Sequence, residues 1–211
     1  MWTLYGSQGS GSAAAEMALQ RCGVPFQVQR ASTWEADSAQ DELRKVNSLG
    51  QIPTLTLGDG AVMTESAAIL IQPGLEFPAA GLLPADPAAR RRSLRGLVYS
   101  AANCYAAIGI IDYSERWTTA TGEAEREHLR QGIHVRLHEC WSLFADQFLS
   151  SSPFLDGAAP GALGMLGAVV SRWSGTRAYL RQQRPALAAL FDRVEQHPDL
   201  SPVFARHWPA S

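Results

Sequence analysis

The chain has 211 residues, of which 46% are hydrophobic and 18% charged, and its formal net charge is -2. Such a balance excludes the strong basic field of a nucleic-acid or anionic-membrane binder, and the run Arg90-Arg91-Arg92 with Arg95 is too short to change that. Cys22, Cys104 and Cys140 form no close pair, which excludes a disulfide framework and Cys-x-x-Cys redox chemistry and makes a reducing cytoplasm the expected location.

Met1 leads straight into Trp2-Thr3-Leu4-Tyr5 and glycines, which is no secretory signal. No run approaches the roughly 20 uninterrupted apolar residues of a membrane helix. Residues 2–5 form a short apolar run ended by Gly6, hence a strand. An Ala-rich helix follows over 12–22, stopped by Gly23-Val24-Pro25. Residues 26–29 alternate apolar and polar like a half-buried strand, and 37–48 read as a weakly amphipathic helix. Strands over 54–57 and 61–64 flank the turn Gly58-Asp59-Gly60 as a hairpin, and 66–71 return to helix. The order β-α-β-α-β-β-α is a small α/β unit, predicted over 1–77. A Pro- and Gly-rich linker over 78–87 is followed by helices over 88–117, 123–149, 162–173 and 186–196. Residues 88–211 are therefore expected to be an all-α domain.

Pro53 follows Gly50-Gln51-Ile52 at a strand edge, where a residue without an N–H interrupts the ladder. A cis bond there would turn the chain and leave the backbone groups of Ile52 outward-facing, free to take an extended peptide by strand addition. Glu65-Ser66 precedes an apolar helical run, so Ser66 offers a carboxylate N–H groups, a hydroxyl and the positive dipole end. A backbone site beside a carboxylate site suits a short acidic peptide.

The run Gly50-Gln51-Ile52-Pro53-Thr54-Leu55, the hairpin, and Thr64-Glu65-Ser66-Ala67-Ala68-Ile69-Leu70 resemble the N-terminal domain of cytosolic glutathione transferases, particularly bacterial ones. The opening Leu4-Tyr5-Gly6-Ser7 and the helical second part match as well. The resemblance implies a thioredoxin-like α/β domain joined to an all-α domain. It also implies glutathione as co-substrate, with Gln51, Ile52 and Pro53 beside its cysteinyl part and Glu65 and Ser66 at its γ-glutamyl end. The implied reaction is attack of the glutathione thiolate on a small apolar electrophile, a detoxification chemistry needing no metal, in a protein that is a homodimer. A glutathione-dependent isomerase or reductase on the same fold, or a binding module without turnover, are the alternatives.

The thiolate is the nucleophile, and a free thiol has a pKa of about 8.5. Lowering it by about 2 units takes about 2.7 kcal/mol of preferential thiolate stabilisation. The family places a Tyr, Ser or Cys hydroxyl or thiol near the end of the first strand and the start of the first helix. Counting forward from Tyr5 favours Ser10, and counting back from Gly23 favours Tyr5. Ser12 is a third candidate, although it also suits a helix cap.

Other signals lead elsewhere. Gly9-Ser10-Gly11-Ser12-Ala13-Ala14 satisfies the dinucleotide pattern G-x-G-x-x-A, but no acidic residue ends the second strand and a hairpin stands where a third parallel strand is required. His134 and His138 share an i, i+4 spacing without an identifiable third metal ligand. His128, His197 and His207 have no context that the sequence explains. Asn103 and Tyr105, with Tyr99, Tyr113 and Trp117, lie on the helix that lines the electrophile pocket in the resembled family. Two departures from that family stand out. The turn Phe154-Leu155-Asp156-Gly157 is followed by Pro160-Gly161-Ala162-Leu163 in place of a capping box, and Pro73-Gly74 falls where helix usually continues.

Overall fold

The computed structural model describes residues 1–32, 34–35, 37–149 and 159–209. The turn Phe154-Leu155-Asp156-Gly157 lies outside the described residues. A four-stranded sheet has the order β2-β1-β3-β4. Its strands are β1 (Trp2–Gly6), β2 (Phe26–Arg30), β3 (Thr54–Thr56) and β4 (Val62–Met63). β1 and β2 run parallel, whereas β3 pairs antiparallel with both β1 and β4. That hairpin replaces the third parallel strand that a dinucleotide fold needs, as the sequence indicates.

Three helices accompany the sheet: α1 (Ser12–Cys22), α2 (Gln40–Val46) and α3 (Ser66–Glu76). Gly23 closes α1 in the left-handed conformation (φ 67), its N–H bonding to the carbonyl of Gln20. α2 is shorter than its charge pattern predicts, burying only Leu43. α3 runs five residues past the expected stop at 71 and carries Pro73 in its interior. An interior proline costs about 3 kcal/mol, but Leu70, Pro73 and Gly74 are all buried here. A Cβ on Gly74 would stand 2.7 Å from Leu83 Cγ, so the glycine admits the chain that leaves the helix. Packing overrides the local signal.

Beyond a short 3₁₀ turn the regular structure of the described residues is helical. Asp86 caps α4 (Pro87–Tyr99) by accepting the Ala89 N–H at 2.7 Å, with Pro87 in the first turn. A π-helical segment, Ser100–Tyr105, joins α4 to α5 (Ala106–Asp112). The remaining helices are α6 (Glu123–Phe148), α7 (Ala162–Val170), α8 (Thr176–Gln183), α9 (Pro185–Gln196) and α10 (Ser201–His207). Of these, α8 and α10 are absent from the sequence expectation. By length and composition the continuous stretch Pro87–Asp112 could cross a membrane, with a mean hydropathy of 1.3 over an 18-residue window. In this fold it is a core helix, packing Leu97, Cys104 and Ile108 among α6 and α7.

The core has two parts of unequal size. Leu4, Ala15, Leu19, Leu55 and Ile69 form the smaller one, between the sheet and α1 and α3. The larger one takes Ala13, Ala14, Met17 and Ala18 from α1 and Ala67 and Leu70 from α3, and continues through Leu97, Trp141, Phe144, Leu166 and Phe191. α1 is thus buried on both sides, and its small residues let α7 approach. α7 is buried on every face, as its uniformly apolar sequence demands.

Candidate functional site

The loop after β1 and the segment that leads into β3 meet at the end of β1. The β1–β3 register sets Tyr5 opposite Thr54, which brings Ile52 and Pro53 beside Gly6 and the loop that follows it. The Ile52–Pro53 peptide bond is cis. Asn47 holds the approach to it, donating from Nδ2 to the Gln51 carbonyl at 3.1 Å and to Thr54 Oγ1 at 2.9 Å. Thr54 Oγ1 donates in turn to the Gln51 carbonyl at 2.7 Å. That carbonyl is therefore fully engaged. Among the described residues, neither the amide nor the carbonyl of Ile52 bonds to another backbone group, leaving both for an extended ligand.

Glu65 precedes α3 with φ 64 and ψ 112, a left-handed conformation uncommon outside glycine. Such outliers persist where surrounding structure enforces them and cluster at binding sites. Ser66 occupies the first position of the 11-residue α3 and is buried, with no acidic side chain in that first turn. Its helix end keeps its full positive character.

The loop from Gly6 to Ser12 is knotted by its serines. A Cβ on Gly6 would lie 2.5 Å from Ser12 Cβ, so only glycine lets the helix start fold back against the strand end. Ser10 Oγ donates to the Ser7 carbonyl at 2.7 Å, shares a 2.8 Å bond with Ser12 Oγ and accepts the Ser12 N–H at 3.2 Å. Ser12 is wholly buried, its hydroxyl also 3.3 Å from the Ser7 carbonyl. Ser10 keeps a small exposed area, 5%. Tyr5 alternates with the buried Leu4 and so leaves from the sheet face opposite α1 and α3. The structure brings Ser10 and Ser12 together in the loop after β1, and sets Tyr5 on the strand, apart from their hydroxyls.

A further hydroxyl, Ser7 Oγ, is buried at the same place. Arg30 holds the Glu35 carboxyl below its ordinary value, and the Ser32 and Ser7 hydroxyls facing it help, though neither closes a full hydrogen bond. Glu35 also borders a groove of about 530 Å3 beside α2, with Trp34, Ser38, Gln40 and Arg44 on its walls.

The helical part packs against the loop after β1. The π-segment advances the helix phase by one residue, a device frequent at functional sites, and Tyr105 ends it. The Tyr105 ring stacks on Trp173 at 5.6 Å, and its hydroxyl packs directly on Gly11. Burial pushes the phenol up to about 12, opposed in part by the Gly11 amide that faces it. Asn103, also named by the sequence, turns back to donate to the Tyr99 carbonyl at 3.2 Å.

Sequence reasoning missed the groups that hold the loop from behind. His207, on α10, is buried and sits 2.8 Å from Glu16 Oε1 through Nε2, and the Gly9 N–H donates to its Nδ1 at 3.2 Å. Burial alone would raise the Glu16 carboxyl, but the hydrogen bonds and charges of His207 and Arg206 outweigh it and hold the group below its ordinary value. Only Glu16, an acidic residue in the middle of an otherwise buried Ala-rich helix, hinted at a partner. Among the described residues no group of three or more His, Cys, Asp or Glu side chains could hold a metal, and His138 is stacked on Tyr179 at 4.0 Å.

Residues 12–71 match the family model of the glutathione S-transferase N-terminal domain. Along nearly its whole length the chain is similar to the uncharacterized GST-like protein YncG of Escherichia coli, 27% identical with 98% of each chain covered. It is 26% identical to human glutathione S-transferase theta-2B over 87% of this chain and 76% of that one. Among solved structures, a Sulfitobacter glutathione transferase homologue with bound glutathione superposes with a TM-score of 0.82, at 22% identity and 97% coverage of both chains. A sphingomonad glutathione S-transferase complexed with glutathione gives 0.77, at 24% identity, covering 99% of this chain and 100% of that one.

Proposed function

We propose that the chain, whose residues 12–71 match the glutathione S-transferase N-terminal domain and which is similar over its length to a GST-like protein, is a bacterial-type glutathione transferase that binds glutathione and transfers its thiolate to a small apolar electrophile. What supports this reading is that three groups of unequal chemistry stand on or beside elements packed in the same unit: the backbone of Ile52, which among the described residues bonds to no other backbone group, the helix start at Ser66 and the hydroxyl of Ser10. The cysteinyl backbone of glutathione would add to Ile52 as a strand. Its γ-glutamyl carboxylate would take the N-terminus of α3, with Glu65 and Ser66, and Gln51 and Pro53 would shape the turn between.

Ser10 is the group assigned to the sulfur. Ser12 has no exposed surface, and Tyr5 faces the other side of the sheet. To reach a thiolate, Ser10 turns its proton from the Ser7 carbonyl to the sulfur, exchanging a neutral hydrogen bond worth about 1 kcal/mol for a charge-assisted one about twice as strong. While it does so, Ser12 Oγ can continue to donate to Ser10 Oγ. The start of α1 has no acidic residue in its first turn, so its dipole adds about 0.3–1 kcal/mol, or up to ~2 where partly buried. Together these reach the order of the 2.7 kcal/mol that a fall of about 2 pKa units requires.

Engagement of the Ser10 hydroxyl within its own loop favours a second reading, glutathione binding without turnover. Retention on immobilised glutathione tests binding, and turnover with an aryl halide separates the enzyme from the module. Ser66→Ala is expected to weaken glutathione about tenfold, and Ser10→Ala to raise the pKa of the bound thiol by a unit or more. Unchanged affinity in the first or an unchanged thiol titration in the second would refute the assigned role. A homodimer in a reducing compartment completes the proposal. It is supported by the family and by three free cysteines, and is tested by sedimentation.

A further inference from the structure

We propose that His207 is a positioning residue for thiol activation: by accepting the Gly9 main-chain N–H it fixes the segment Gly9-Ser10-Gly11, and with it the place from which Ser10 offers its hydroxyl. The inference rests on Ser10 as the group that faces the sulfur.

A main-chain amide only donates. With Gly9 N 3.2 Å from Nδ1, that nitrogen must present its lone pair, and the ring proton lies on Nε2. From there it is donated to Glu16 Oε1 at 2.8 Å. Arg206 Nη2 meets the other oxygen of Glu16 at 3.1 Å, and the Arg206 carbonyl accepts from Gln8 Nε2 at 2.9 Å. One turn of α10 is therefore bonded to two successive residues of the loop and, through Glu16, to the helix that the loop begins. Gly9 itself has φ +69, a conformation suited to glycine, so the loop's path at this point depends on an outside hold.

The other side of Ser10 is closed as well. Tyr105 packs its hydroxyl on Gly11 and its ring on Trp173. Trp208 spans the gap, 6.3 Å from Trp173 and 5.5 Å from His207, with the Arg172 guanidinium 4.5 Å over its ring. The two glycines flanking Ser10 thus meet two groups of the helical domain that are joined to each other by packed rings.

A purely structural tie between α10 and α1 would not take this form. Burying a carboxylate and an imidazole to join two helices is often no better than an apolar pair of similar volume. What an apolar pair lacks is a directed lone pair for one particular amide. Ser10 needs that precision because the Ser7 carbonyl holds its proton at 2.7 Å and Ser12 Oγ bonds the same hydroxyl oxygen at 2.8 Å, and displacements of about 1 Å at a reacting group can cost 10²-fold in rate.

Two substitutions separate the halves of the imidazole. Asn places an acceptor near the position of Nδ1, and Gln places a donor near that of Nε2. His207→Gln keeps the link to Glu16 and loses the one to Gly9, whereas His207→Asn does the reverse. In each variant the ultraviolet absorbance of the bound glutathione thiolate is followed against pH, with kcat and KM for glutathione measured using an aryl halide and thermal midpoints recorded alongside. The expected result for His207→Gln is a thiol pKa raised by about one unit and a kcat lowered about tenfold, with KM for glutathione within about twofold of wild type. His207→Asn is expected to titrate like wild type even if it melts lower. Equal shifts in both variants would overturn the proposal, since the effect would then follow the Glu16 link or stability alone. So would a wild-type titration in His207→Gln while Ser10→Ala is shifted, a result that leaves the assignment of Ser10 standing. Failure of the wild-type protein to bind glutathione sinks both readings and is recognised by the absence of any thiolate signal.

Discussion

Replacing Gly11 with alanine isolates the contact between the two parts of the chain. Gly11 has φ -62 and ψ -14, an ordinary right-handed conformation, so nothing in its own backbone calls for glycine. The requirement comes from Tyr105: a Cβ on Gly11 would overlap the phenolic oxygen and lie 2.9 Å from Cζ and 3.0 Å from Cε1. Tyr105 cannot retreat freely, because its other face is stacked on Trp173. Overpacking of this kind costs about 1–3 kcal/mol, and displacing a buried hydroxyl from the amide it faces adds about 1 kcal/mol. For a chain of this size each kcal/mol lowers the thermal midpoint by about 2–4 °C. Gly11→Ala is therefore expected to melt about 5–15 °C below wild type by circular dichroism. In a Tyr105→Ala background the same substitution should cost little, since the overlapping atoms are gone. Equal costs in both backgrounds, or a Gly11→Ala protein as stable as wild type, would refute the reasoning.

Gly132 offers the opposite case. It lies inside α6 with nothing within 4 Å of a built Cβ, so Gly132→Ala is expected to stabilise by about 1 kcal/mol and raise the midpoint by ~2–4 °C, and a fall would contradict it. Glu16 ionises more readily in the folded chain than its unfolded value of about 4.3. Its contribution is therefore present above that value and lost as pH falls through the folded one. The stability gap between wild type and Glu16→Gln should be widest near neutrality and shrink below about pH 4, and a gap that widens on acidification would reverse the sign. Burial pushes the Cys22 thiol up to about 11 and moves that of Cys104 up as well. A rise of about two units leaves Cys22 with about 100-fold less thiolate than a free thiol near neutral pH. Alkylation of the folded protein should accordingly be slow, and rapid labelling of Cys22 by peptide mapping would contradict this.

The backbone features of the candidate site were legible in the sequence because their signals are local. A proline at a strand edge and a serine at a helix start each act through neighbouring backbone, so the turn at Ile52–Pro53 and the start of α3 at Ser66 could be read in place. The surroundings of Tyr5, Ser10 and Ser12 could not, because they depend on the face from which Tyr5 leaves β1 and on how the loop after it folds over the serines. The helix through Pro73 was missed because tertiary packing of Leu70 and Gly74 outweighs a local breaker. α8 went unread because Arg181, Gln182 and Gln183 mask its single buried leucine, Leu180. His207 was illegible for a different reason: its partner Glu16 lies 191 residues away in sequence. The direction of Tyr105 depends on a π-segment that no residue pattern announces.

The division of α1 between two cores has a consequence for how this protein can be rebuilt. Ala15 and Leu19 belong to the sheet, while Ala13, Ala14, Met17 and Ala18 belong to the helical domain. Grafting residues 1–77 onto a foreign helical domain would replace every surface that these alanines fit, along with Tyr105 and His207. A chimera cut at the linker would inherit the residues proposed to recognise glutathione but not the mould that shapes the loop beside them. The natural unit of exchange is the interface, and it has to travel whole.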